Sequence, residues 1–195
     1  MRDRDTVWTD FFLAALSFGL VIALPAINGV PGLYALLFAA LGLAALLGGI
    51  WHGWFSGAQV GLGGAIWLGV LTAIGGANLA LWLIAADLLG ARGLVLVGWG
   101  QLAVFLLLAL LVSRGFLLAS GFSLPPVLLL LAAHGWKLVE GGGSVHAFGL
   151  AGFATALAGA ALQAARIGLP ALGLGHNALY HLMQALALTL VFFSV

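Results

Sequence analysis

The chain reads as an all-α integral membrane protein, a single domain over residues 1–195 made of about seven transmembrane helices with short loops. Three observations predict this. Hydrophobic residues make up 64% of the sequence and charged residues only 6%, whereas a soluble domain carries about 25% charged residues. The mean hydropathy is +1.25. Apolar runs near the roughly 20 residues that a helix needs to cross a bilayer recur from end to end.

The first span is read from about Trp8 to Ala26, closed by Pro25, Asn28, Gly29 and Pro31, residues that do not continue a helix. The mixed charges of Met1–Asp5 precede it, and no small-residue cleavage site ends it, so it is read as a retained helix. The second span covers about Gly32–Phe55, and Ser56–Gly57 turns the chain. The third, about Gln59–Leu89, is long enough to be tilted, or broken near Gly75–Gly76. Gly90, Arg92 and Gly93 lead to a fourth span at Leu94–Val112, and Ser113–Gly115 to a fifth at Phe116–Leu138, where Pro125–Pro126 predicts a kink. The polar stretch Glu140–Ser144 separates off a sixth span, Val145–Ala165. A Gly- and Pro-rich turn then leads to the last, His176–Phe193.

Composition also excludes functions. A net charge of +1 offers no basic stripe for a nucleic-acid backbone. The absence of cysteine removes disulfides, thiolate metal sites and cysteine nucleophiles. The 30 glycines suit close helix packing in lipid, and none of the Gly-rich segments ends as a phosphate-binding loop does. No serine stands in a Gly-x-Ser-x-Gly context. The last span lacks the lysine that a retinal protein would carry there. Trp8, Trp51, Trp54 and Trp136 fall near span ends, where indole rings anchor at the interface. Arg2, Arg4, Arg114 and Arg166 on the N-terminal side, against Arg92 and Lys137 opposite, predict a cytoplasmic N-terminus.

Ionisable groups at membrane depth are costly and mark candidate sites. Asp10 near the start of span one, His52 near the end of span two, and His176 and His181 at the start of span seven all fall at similar depth on one side. Three imidazoles and a carboxylate form the ligand set of a catalytic zinc. His176 and His181 are five residues apart, about 140° around a regular helix, so His176 would have to swing inward from an unwound first turn. Asn177 shares a face with His181, with Gln184 beside it. Ser56, one turn beyond His52, is a candidate support for bound water or substrate. The same histidines could instead hydrogen-bond within the packing or hold a haem. Asp87, His134, Lys137, Glu140 and His146 gather on the opposite side, where His134, Lys137 and Glu140 read as a solvated helix end.

The segments Gly48–Gly49–Ile50–Trp51–His52–Gly53 and Gly175–His176–Asn177–Ala178–Leu179–Tyr180–His181–Leu182–Met183–Gln184, in a seven-span topology, resemble the alkaline ceramidase and adiponectin-receptor-like superfamily, above all small bacterial members. The resemblance implies zinc held by His52, His176 and His181, hydrolysis of a lipid-like amide or ester, and a bacterial inner membrane. Asp10 is expected to orient or deprotonate the bound water, with Ser56, Asn177 and Gln184 in support. The expected partners are membrane lipid and a lipid-like substrate entering sideways. The pattern departs from the family's at Asn177, which replaces the earlier of two histidines four apart, and at Gly48, which replaces a serine. No acidic residue follows His52 before Asp87, and Asp10 is expected to substitute from another helix. The rival reading is a non-enzymatic sensor or small transporter in which the same groups bind a ligand or ion.

Overall fold

The structure, a computed structural model, describes residues 4–24 and 31–195. Arg2, Pro25, Asn28 and Gly29, invoked above for orientation and for the end of the first span, lie outside them. Among the described residues seven long helices follow one another: α1 Arg4–Ala23, α2 Pro31–Trp54, α3 Gly61–Leu88, α4 Gly93–Leu111, α5 Phe116–Val139, α6 Gly143–Ala164 and α7 His176–Phe192. A 3-10 turn, Pro170–Leu172, precedes α7. Helices α1 to α6 are long and apolar enough to cross a membrane. α7 has 17 residues, about 25 Å at 1.5 Å per residue, against a hydrocarbon core of about 30 Å.

α1 packs on α2, α2 on α3, α3 on α5, α5 on α6, α6 on α7, and α7 returns to α1. These six helices close a ring. α4 stands outside it, held mainly by α3, and is the least enclosed of the six long apolar helices, while α3 is the most enclosed. Glycine sets the close approaches: Gly98 of α4 lies where a Cβ would meet the Trp82 side chain, and Gly75 of α3 where one would meet Leu102 and Phe105. Of the two alternatives for the third span, a break at Gly75–Gly76 is not there: α3 runs unbroken for 28 residues.

α5 is likewise helical straight through Pro125 and Pro126. Proline has no N–H to give the carbonyl four residues back, so Pro126 leaves the Phe122 carbonyl without its helical donor. Gln101 of α4 supplies one: its Nε2 donates to Phe122 O at 2.8 Å, while its Oε1 accepts from Trp82 Nε1 at 2.9 Å. One side chain thus ties α4 to both α3 and α5. Trp8, Trp54 and Trp136 are exposed, as interfacial anchors would be. Trp51 is partly covered instead, stacked on Trp67 with its indole N–H on Ala58 O.

Candidate functional site

A cavity of about 300 Å³ runs inside the ring, at the lower end of the range for small-molecule pockets. All six ring helices contribute to its wall and α4 contributes nothing. On α7 the lining residues are Asn177, Tyr180, His181, Gln184, Ala187, Leu188 and Val191, the i, i+3, i+4, i+7 stripe of one helical face. That stripe is about 21 Å long at 1.5 Å per residue.

The polar residues gather at one end. Because successive helices alternate in direction, the starts of α1, α3, α5 and α7 and the ends of α2 and α6 share a side. Asp10, His52, Ser120, Gln163, Asn177, Tyr180 and His181 come from those termini. Further along, the wall is apolar apart from Asn78 of α3: Leu37 and Leu41 of α2, Val127 of α5, Phe153 of α6, Leu188 and Val191 of α7. The cavity is amphipathic along its length.

Asp10, 3% exposed, reaches this space because α2 presents Gly48 and Gly49 at its level. A Cβ at Gly48 would stand 3.2 Å from Asp10 Oδ1, and one at Gly49 would stand 3.2 Å from Asp10 Cβ. Across the α1–α7 seam His181 Nε2 lies 3.3 Å from Asp10 Oδ1, and His181 Nδ1 lies 3.1 Å from Thr9 Oγ1. The Thr9 hydroxyl has one proton, placed toward the carbonyls of Asp5 and Thr6 at 2.9 and 3.0 Å. With that proton on a carbonyl, the hydroxyl accepts from His181 and the imidazole is Nδ1–H. Nε2 and Oδ1 then share one proton between them, and the pair is neutral as a whole. Asp10 Oδ2 has no partner, and Asp10 is one of the residues of the cavity wall.

The other end of the seam is fixed by the backbone. Gly175 N donates to Asp5 Oδ2 at 2.7 Å, so α7 begins regularly at His176. The inward swing needed by His176 does not occur: it sits on another face, off the cavity wall. Ser56 is exposed in the turn after α2 and is also off the wall. The structure brings Asp10, His52, His181, Asn177 and Gln184 to one cavity and leaves His176 and Ser56 outside it. Gln163 Nε2 donates to Asn177 Oδ1 at 2.6 Å, and Gln184 Nε2 to Tyr180 Oη at 2.6 Å. Thr9, Asn78, Gln163 and Tyr180 were not singled out from the sequence. Tyr180 could have been, since it lies one turn from Asn177 and Gln184 on their face.

Three imidazoles around one ion do not fit this arrangement. His176 lies off the cavity wall, Asn177 Oδ1 accepts from Gln163, and His181 is held by Thr9 and Asp10. Among the described residues no group of three or more His, Cys, Asp or Glu side chains is placed to hold a metal ion.

At the opposite side Lys137 and Glu140 form an exposed ion pair at 3.3 Å, a solvated helix end as expected. His134 is not part of it. It is 1% exposed, packed against Gly149 and the Phe153 ring, with its Nδ1 3.2 Å from His146 Nδ1. The buried face of α5 runs as far as His134, three residues before Lys137.

No curated protein and no solved structure matches the chain. A family model does, over residues 6–195, and the chain therefore belongs to that family, described as a family of unknown function (DUF6962).

Proposed function

We propose that this protein crosses the membrane seven times and binds a single-chain amphiphile inside the ring, as a lipid sensor or carrier. The observation that carries the reading is the cavity's polarity gradient: hydrogen-bonding groups at one end and hydrocarbon side chains beyond them. A lipid tail would replace the apolar wall's missing contacts. The head group would meet Asp10 Oδ2, an acceptor without a donor, so a head carrying an amide N–H or hydroxyl fits and a bare carboxylate does not. Gln163 Oε1, also without a partner, adds a second acceptor there. With seven crossings, Arg4, Arg114 and Arg166 share the side of the polar end and Arg92 and Lys137 lie opposite, which makes the polar end cytoplasmic.

The test is competition binding on purified protein in detergent, with N-stearoylethanolamine displacing a fluorescent analogue, beside mass spectrometry of co-purifying lipids. Displacement in wild type that weakens about tenfold in Asp10→Ala supports the reading, since one buried hydrogen bond contributes up to about 1.5 kcal/mol. No displacement by this or other amide- or hydroxyl-headed lipids rejects it.

A metal-dependent hydrolase of a lipid-like amide or ester, as the resemblance to ceramidases implies, is the second reading. Its support is that Asp10, His52 and His181 border one cavity. Stoichiometric zinc in purified protein, lost in both His52→Ala and His181→Ala and joined by turnover of the amide, would place this reading first.

A further inference from the structure

Asn78 stands apart from the other polar residues of the cavity. It lies on α3, 4% exposed, and its Nδ2 has no hydrogen-bond partner. Its neighbours on the wall from the same helix are Ile74, Ala77 and Leu81. Its depth follows from two contacts of α2. Gly48 is at the level of Asp10, and Ala40 is at the level of Gly76. Those eight residues of α2 span about 12 Å at 1.5 Å per residue, and Asn78 is two residues further on. A polar group thus faces the cavity well inside its hydrocarbon stretch.

Leaving an amide N–H unpaired in such surroundings is costly, and native structures rarely do so without a partner. Leucine at this position would pack against its apolar neighbours without that penalty.

Resting on the amphiphile reading above, we infer that the ligand carries an oxygen partway along its chain and that Asn78 reads it: a mid-chain hydroxylated or otherwise oxygenated lipid. A hydroxyl both donates and accepts, so it serves the amide in either orientation of its nitrogen and oxygen. A site built around such a contact discriminates against the analogue that lacks it, because its own polar group is then left unpaired.

Three probes test this on the purified full chain in detergent: N-stearoylethanolamine, its analogue with a hydroxyl near mid-chain, and its analogue with the hydroxyl next to the amide. Wild type is expected to bind the mid-chain analogue about tenfold more tightly than either other probe, the effect of one hydrogen bond to a buried neutral group. Asn78→Leu should lose that preference and bind the plain lipid at least as well as wild type, which also shows that the variant is folded. Equal affinities in wild type, as when water serves Asn78, would overturn the inference while leaving the amphiphile reading intact, as would a preference that survives in Asn78→Leu. If none of the three probes binds wild type, both readings fall. Should Asn78→Leu not fold, the positional comparison on wild type decides alone.

Discussion

His181 Nε2 stands 3.3 Å from Asp10 Oδ1 while His181 Nδ1 lies 3.1 Å from Thr9 Oγ1; with Nδ1–H on Thr9, a single proton lies between the two residues. Asparagine at position 10 satisfies the same arithmetic. Its Nδ2 donates to His181 Nε2 and its Oδ1 takes the place of the unpartnered carboxylate oxygen. Asp10→Asn is therefore expected to keep thermal stability in detergent near wild type and amphiphile binding within a fewfold. Asp10→Ala leaves Nε2 unpaired and should cost about 1–3 kcal/mol of stability together with binding. If Asp10→Asn proves as damaging as Asp10→Ala, the shared proton sits on His181 and the two residues form an ion pair.

Gly48 and Gly49 are as much a part of the site as the groups they admit. A Cβ at Gly49 would stand 3.1 Å from the Phe11 ring and 3.2 Å from Asp10 Cβ, and the α1–α2 contact is one wall of the cavity. Gly49→Ala should force the helices apart at a cost of about 1–3 kcal/mol, read as a lower melting temperature. Gly48→Leu should displace the Asp10 carboxylate from His181 and abolish amphiphile binding. Gly53, whose Cβ would find nothing nearer than 3.7 Å, is the control, and Gly53→Ala should be neutral in both assays.

The sequence carried the helices and much of the site because both depend on local signals. Apolar runs and glycine turns located each helix to within a few residues, and alternating helix directions put Asp10, His52 and His181 at one depth. What stayed hidden depends on tertiary packing. That α4 leaves the ring is settled by Gly98 against Trp82 and by Gln101, and neither differs in hydropathy from glycines and glutamines elsewhere. His176 was misplaced because the Gly-rich turn before it looked free to unwind. The Asp5–Gly175 hydrogen bond, joining residues 170 apart, holds the turn in place instead.

His134 and Gly149 form a second close fit, at the far end of the bundle. A Cβ on Gly149 would collide with the imidazole, which is fully buried and has little room to turn. Gly149→Ala should destabilise the protein by about 1–3 kcal/mol. Shortening the ring partner ought to relieve the clash, so His134→Ala combined with Gly149→Ala should be less damaging than the sum of the singles. A coupling energy of at least about 0.5 kcal/mol in that cycle is expected for residues in contact, and strict additivity would show that the ring moves freely.

Gln101 provides the last test, because its role follows from a missing atom in another helix. Its Nε2 serves the Phe122 carbonyl that Pro126 cannot serve. Hydrogen bonds between membrane helices contribute about 0.6 kcal/mol on average and up to about 1.7, and Gln101→Leu should cost near the upper figure, since it strands both the Phe122 carbonyl and the Trp82 indole N–H. In a Pro126→Ala background the helix supplies its own donor to Phe122, so the same Gln101→Leu change should cost less, leaving only the Trp82 contact to lose. Because α4 lies outside the ring, neither background should alter amphiphile affinity beyond about twofold, a change of about 0.4 kcal/mol. A large loss of binding in Gln101→Leu would mean that α4 shapes the cavity after all.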